Sequence, residues 1–379
     1  MALSKIQGIE GQVTPNLGRR NLVINGAMQV SQRGASFTGH GAGVNYGIDR
    51  FFDYHNSDGA FTLSQETSVV PVGFSNALKV LTTTADSSIA AGQRLIVGQR
   101  LEGLNVSHLN WGTSNAKSVT LSFYVRSSVT GTHGGAIGNG SDNRNYPFTY
   151  TISSANTWER KTITIPGDQT GTWATTNARS LQVIWGLGVG STYSGSAGSW
   201  AAGDINSATG ATTAVLGTLN ATWYLTGVQL EVGDTATEFE HRSHGEELSL
   251  CHRYFFNILD GSTGQFPVNH GNAISTGNNG HVAFTIPLPQ PMRADPTFVH
   301  DLANSNYHAV SPGGSQWSFY YQNQGWGGKA GNGDLNTLGR TMNGKSSITM
   351  GTYYITPANS SSDQLRVGAS LKMWCNAEL

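Results

Sequence analysis

The chain has 379 residues, of which 12% are charged, and a formal net charge of -1 at pH 7. That length accommodates two domains of ordinary size, and the charge balance excludes a general nucleic-acid or membrane-surface binder, which needs a concentrated basic patch. Charged residues stand well below the roughly 25% usual for soluble domains, while glycine fills 49 positions, so hydroxyls and amides replace ions on a surface suited to particle-bound or extracellular β proteins.

Residues 1 to about 20 are polar and unpatterned and read as an arm that orders against a partner. They lack the apolar core of a signal peptide, and no apolar run is long enough to span a bilayer. Cytoplasmic assembly followed by release inside a particle is therefore expected, without membrane insertion. From Asn21 to Arg33, NLVINGAMQVSQR, two short apolar stretches flank Asn25-Gly26, the best local hairpin signal. Residues 1–48 are assigned to an N-terminal attachment arm and hairpin.

Residues 49–240 read as strands and Gly/Ser/Thr/Asn loops. Val119, Leu121, Phe123 and Val125 alternate with Thr120, Ser122, Tyr124 and Arg126, and Leu181, Val183, Trp185 and Leu187 repeat the pattern, giving one buried and one solvated face. Trp223 and Leu225 hold one phase while Val228, Leu230 and Val232 hold the other, so a β-bulge is expected at Gly227. The spacing predicts an all-β fold with a two-sheet jelly-roll or β-sandwich body. The long Gly/Ser/Thr/Ala loop from Gly186 to Gly217 is expected to be ordered by a neighbouring subunit or to form an exposed tip.

A short linking helix is predicted over 241–256. Ser243 and Glu246 have capping-box spacing, and Leu248, Cys251 and Phe255 fall near one helical face. Cys251 and Cys375 do not make a disulfide framework and read as buried free thiols. Strands resume in 257–379, where Val282, Phe284, Ile286 and Leu288 alternate, as do Leu365, Val367, Ala369, Leu371 and Met373, and predict a smaller C-terminal β-sandwich.

The opening NLGRRNLVINGAMQVSQRG, followed by Asp49-Arg50-Phe51, resembles the N-terminal signature of tail-fibre and related virion proteins of tailed, notably marine, bacteriophages. The string from Trp223 to Phe256, ending LEVGDTATEFEHRSHGEELSLCHRYFF, is similar to the closing strand and junction of the same proteins, after a jelly roll similar to carbohydrate-binding modules. The match spans about residues 16–256; PLPQPMRADPT, Pro287 to Thr297, and the terminal NAEL extend it more loosely. The resemblance implies a structural protein of the virion, most often a homotrimer, joined to other virion proteins through its arm and facing a host-surface glycan or protein with its distal module. It brings no catalytic residues and no cofactor. The chain lacks a collagen-like or coiled-coil shaft, which leaves a stubby fibre, a fibre tip or a capsid or tail decoration protein.

Several constellations invite a sharper reading. Glu238, Glu240, His241, His244, Glu246 and Glu247 have ligand types suited to zinc, but a polar seam with Glu246 as a cap accounts for them, and no metal is assigned. Glu102, Asp142, Asp204 and Asp334 are loop carboxylates, yet nothing selects the pair that a glycosidase requires, so no enzyme activity is expected. Asp142, Asn143 and Asn145 offer oxygens to calcium, with an Asx-rich turn as the ordinary explanation. Trp317, Phe319, Tyr320, Tyr321 and Trp326 are the best sugar-binding group, because saccharide C–H faces stack on aromatic rings while Asn323, Gln324 and Asn332 bond hydroxyls. The alternative is a core face of Trp317, Phe319 and Tyr321, which explains the strand but not Trp326 among its glycines.

Overall fold

The computed structural model describes residues 19–260, 271–276, 279–300, 317–320, 339–342, 347–354 and 372–379; beyond Ser243, side chains are described for 244–258, 288–297 and 374–379. The chain divides into two compact units, Met1–Ser243 and His244–Leu379.

Alternating apolar residues build the first unit as a sandwich of two sheets. One sheet has six strands in the order β1 (Ser36–Thr38), β4 (Ala60–Glu66), β5 (Ala77–Thr84), β15 (Thr222–Val232), β7 (Val119–Ser127) and β10 (Glu159–Ile165). The other has seven, in the order β13 (Ala201–Ala202), β9 (Arg144–Ile152), β8 (Gly131–Asn139), β11 (Arg179–Val189), β6 (Arg94–Glu102), β3 (Phe51–His55) and β2 (Gly43–Tyr46). A one-turn helix, α1 (Gly103–Val106), follows β6, and β12 (Ser194–Gly195) pairs in parallel with β14 (Ser207–Ala208).

Both expected rows lie in the core: Val119, Leu121, Phe123 and Val125 from one sheet, and Leu181, Val183, Trp185 and Leu187 from the other, are all buried. Each such side chain contributes roughly 1.5–3 kcal/mol by leaving water. Phe123 and Trp185 meet edge to face across the interior, 5.4 Å between ring centroids. In β15 the register against β7 shifts between Thr226 and Gln229, with Gly227 at φ 59°, so the phase change is a bulge carried by a glycine in the left-handed region.

The expectations for residues 21–33 change. Residues 21–30 contain no strand, so Asn25-Gly26 does not close a hairpin; Asn25, at φ 60°, instead starts a turn closed by the Met28 N–H on its carbonyl. Nor does this segment extend from the body: Val23, Asn25 and Met28 are fully buried within it. It continues the six-stranded sheet beside β15 where β5 stops, with Leu22 N–H donating to Leu230 and Val228 N–H donating to Gly26. Residues 1–18 of the expected arm lie outside the described residues.

The loop from Gly186 to Gly217 packs on its own unit. β14 lies over β8: a Cβ on Gly134 would fall on the Ser207 hydroxyl. Further on, Thr213 N–H donates to Thr132, and Val215 and Leu216 enter the core. Gly134 is small because β14 and the residues after it cross it, whereas Gly135 and Gly138 leave room for Ile184, Phe148 and Asn145 of the neighbouring strands.

In the second unit, α2 (His244–His252) leads into β16 (Phe255–Asp260). The helix is shorter than 241–256, and Phe255 lies on β16 opposite Asn376 instead of on a helical face with Leu248 and Cys251; the buried helical residues are Glu247 and Cys251. Cys251 and Cys375 are buried free thiols. β16 joins an antiparallel sheet with β23 (Lys372–Asn376) and β19 (Thr297–His300). A second antiparallel sheet orders β17 (Gly271–Thr276), β18 (Asn279–Pro287), β22 (Ser347–Tyr354) and β20 (Trp317–Tyr320), with β21 (Gly339–Met342) also on β22.

Candidate functional site

Of the residues proposed for glycan contact, Trp317 and Tyr320 lie at the two ends of β20, opposite Tyr354 and Gly351. Asn323, Trp326 and Asn332 lie outside the described residues. Since α2 begins at His244, Ser243 immediately precedes it and Glu246 is its third residue.

The polar seam before α2 is a fastener. Glu240 accepts the backbone N–H groups of Arg20 and Asn21, each at 3.0 Å, and Arg242 donates to the Asn21 and Val23 carbonyls. Burial raises the Glu240 carboxyl, but these N–H groups and Arg242 outweigh it and hold the group below its ordinary range. His241 packs on Phe74 and Phe239, with centroids 5.2 and 4.8 Å away. Among the described residues no group of three or more His, Cys, Asp or Glu side chains is placed to hold a metal ion.

Two of the loop carboxylates, Asp142 and Asp204, are engaged by cations. Asp142 accepts from Arg179 at 2.5 Å and Gln182 at 2.6 Å, while Asp204 accepts from Arg94 at 2.6 Å. Glu102 is buried, and Asp334 lies outside the described residues. Asn143 accepts from Asn139, and Asn145 donates to Gly203, so the oxygen-rich loop holds a turn together with its own groups.

The most organised aromatic group lies elsewhere, where three loops converge beyond the ends of β6, β8 and β10. Trp111 follows a left-handed Asn110, Trp173 lies between β10 and β11, and Trp200 immediately precedes β13. Their rings meet edge to face: Trp111 and Trp173 at 4.6 Å, Trp111 and Trp200 at 5.3 Å, Trp173 and Trp200 at 5.6 Å. Tyr146 adds a fourth ring 5.5 Å from Trp200. Every indole N–H in the triad has an acceptor: the Lys117 carbonyl for Trp111, Asp168 Oδ2 for Trp173 and the Pro166 carbonyl for Trp200. Trp111 is buried, whereas Trp173 and Trp200 remain half-buried.

Asp168 organises these loops. Its side chain is buried and accepts from Arg144 Nη2 at 2.7 Å, Arg144 Nε at 3.0 Å, Gly171 N–H at 2.9 Å and Trp173 Nε1 at 3.1 Å, while its carbonyl accepts Gly112 N–H. Burial pushes the carboxyl up, but the Arg144 and Trp173 hydrogen bonds and the Arg144 charge prevail and keep it below the ordinary aspartate value. The arrangement locks rings that still meet solvent. Their sequence signal is the one that marked Trp326, a tryptophan among small polar residues: NWGT, GTWATT and GSWAAG. What local sequence lacks is the convergence of positions 111, 173 and 200.

No protein-family model and no curated protein matches the chain. Among solved structures, it is similar to the enzymatically active domain of tailspike protein 4 of bacteriophage CBA120, at 11% identity and a TM-score of 0.29, covering 56% of this chain and 21% of that one. It is also similar to the family 11 carbohydrate-binding module of a Clostridium thermocellum cellulosomal cellulase, at 11% identity and a TM-score of 0.26, covering 54% of this chain and 100% of the module. A third is the CBM22-1–GH10 portion of C. thermocellum xylanase 10B complexed with xylohexaose, at 11% identity and a TM-score of 0.27, covering 55% of this chain and 30% of that one. The chain thus spans about a fifth of the tailspike domain. With TM-scores this low the likenesses carry no functional argument, and the all-β assignment rests on the strand pairings themselves.

Proposed function

We propose that this chain is a structural protein of a phage particle, a short tail fibre or fibre tip that attaches the particle to host-surface glycans. The observation that carries this reading is the joint between residues 20–33 and 228–242. The two stretches that resemble tail-fibre proteins are distant in sequence, yet Asn21 bonds Val228 and Leu230 while Glu240 and Arg242 bond the backbone of 20–23. The resemblance therefore lies in residues that act together to close one sandwich. The engagement of Asp142, Asp168 and Asp204 by arginines supports a contact surface rather than a catalyst.

In this reading the chain works as a homotrimer, anchored to other virion proteins through residues 1–18, and identical weak contacts are combined by effective concentration. The uncharged Gly/Ser/Thr surface lets copies approach without like-charge repulsion. The alternative is a decoration protein that only strengthens the capsid or tail. Particles carrying a copy cut after residue 256 separate the two: attachment predicts intact particles that no longer adsorb, and decoration predicts fragile or missing particles. A stable monomer by light scattering at micromolar concentration removes the trimer.

A further inference from the structure

We infer that the tryptophan triad at the end of the sandwich is a stacking site for a neutral saccharide. It uses none of the residues of β20 or the stretch after it that the sequence offered for sugar contact, and it rests on the attachment reading of the whole chain.

Three observations converge. The triad is rigid, because each indole N–H is bonded to an acceptor in the surrounding loops and Asp168 ties Arg144, Trp173 and Gly112 into one network. It nevertheless stays partly in water, since Trp173 and Trp200 are half-buried where Trp185 and Trp223 are fully enclosed. Large rings that serve only packing gain by complete burial. Rings fixed in place at the surface offer apolar area to a ligand at little cost in conformational entropy.

The surrounding loops select the ligand. Ser114, Asn115, Thr172, Thr175 and Ser199 are exposed around the triad. In the loops 166–178 and 196–203 the single charged residue is Asp168, which is already engaged by Arg144. Lys117 is the one lysine or arginine in 104–118. With the indole N–H groups engaged, the half-buried Trp173 and Trp200 offer their remaining ring surface, with the Arg144 guanidinium 5.9 Å from the Trp200 centroid, and hydroxyls and amides supply the hydrogen bonds. A sugar ring has the complementary surface: an apolar C–H face bordered by hydroxyls without charge. An anionic polysaccharide would meet the exposed Lys117 and an Arg144 already held by Asp168, not a cluster of cations.

The test uses the full chain in native affinity electrophoresis through gels containing neutral polysaccharides, namely glucan, galactan, mannan and xylan, with a sulfated glycan for comparison. The wild type should be retarded by at least one neutral polymer more than by the sulfated one. Trp173→Ala and Trp200→Ala should each weaken retention at least tenfold, and Trp158→Ala, outside the triad, should leave it unchanged. Should either triad variant fold poorly, Ser114→Arg and Ser199→Arg, at exposed positions, block the same end without touching the core and should weaken retention as much. Retention of the wild type that none of these four changes reduces overturns the site while leaving attachment to another surface of the chain. No retention by any neutral polymer also overturns it, whereas the attachment reading is judged independently by particle adsorption.

Discussion

The side-chain amide of Gln99 and the backbone of Ile24 are bonded in both directions: Ile24 N–H donates to Gln99 Oε1 at 2.8 Å, and Gln99 Nε2 donates to the Ile24 carbonyl at 2.7 Å. Asn21 does the same for β15, accepting from Leu230 N–H and donating to the Val228 carbonyl, and Asn25 does it for Val30. Each amide takes the place of one residue of a missing strand, which is how a buried segment without secondary structure satisfies its polar backbone. Gln99→Leu keeps the volume but strands the Ile24 N–H and carbonyl. Denaturant unfolding of the sandwich should show a loss of about 1–3 kcal/mol for each group left unpaired; an unchanged midpoint would mean that this pairing is dispensable.

Gly26 permits the close passage of the same segment against β15. A Cβ at this position would fall on the Val228 carbonyl oxygen, which accepts from Asn21. Gly26→Ala should therefore destabilise the unit by about 1–3 kcal/mol through overpacking against backbone. Thermal melting of the variant beside Gly92→Ala in the same unit, where the added carbon meets nothing within 4 Å, isolates the effect of that contact.

Arg94 fastens the long loop to its sheet. Its guanidinium lies 3.9 Å from the centroid of the Tyr193 ring and 4.5 Å from that of Tyr54, and it donates to Asp204 and Asn206, each at 2.6 Å. Burial lowers its pKa, but Asp204 more than compensates and raises it, so the cation persists at every accessible pH. Arg94→Ala removes the charge and both ring contacts, each worth roughly 0.5–2 kcal/mol. Limited proteolysis within 194–204 should accelerate about tenfold or more, while the remainder of the unit keeps its melting temperature.

His133 should make the sandwich sensitive to mild acid. Its Nε2 faces the Val129 carbonyl at 3.1 Å and must donate, which fixes the neutral tautomer, and the buried Nδ1 has no partner among the described residues. Desolvation dominates and lowers the pKa from 6.5, against the opposing Val129 bond. The stability it contributes is fully present above the unfolded value of 6.5 and is lost as pH falls from there through the lower folded value. The slope for one proton is at most about 1.4 kcal/mol per pH unit. Comparing His133→Phe with the wild type across pH 4.5 to about 7 should show a shallower dependence in the variant; parallel curves would assign the slope to other histidines.

Asp168→Asn tests the organiser of the tryptophan loops. Removing the charge leaves Arg144 without its carboxylate and should cost about 3 kcal/mol or more, with a red shift of tryptophan emission as the loops loosen. The wild-type contribution is present above the unfolded aspartate value of 3.8 and disappears as pH falls through the depressed folded one, so the variant should lose part of the acid transition.

Much of the architecture is legible locally. The rows Val119–Val125 and Leu181–Leu187 declare buried faces by simple alternation, and the phase change between Leu225 and Val228 announces the bulge at Gly227. Alternation is legible because a strand repeats every two residues whatever it packs against. Asn25-Gly26 misled for the opposite reason: its turn chemistry is real, but the flanking backbone finds its partners in side chains and in β15, which no local pattern encodes. Likewise the length of the Gly186–Gly217 loop pointed to a neighbouring subunit or an exposed tip, whereas its packing on its own sheet shows only in space, where Gly134 on β8 is small because that loop crosses it.

The amino-acid order alone thus determined the fold class and the two inner faces, since period-two burial is a property of adjacent residues. Only the tertiary structure decided that residues 21–30 belong to the body and that Trp111, Trp173 and Trp200 form one group around Asp168. Those relationships join residues separated by tens to hundreds of positions, and they exist only once the two sheets have packed and carried their loops to a common end.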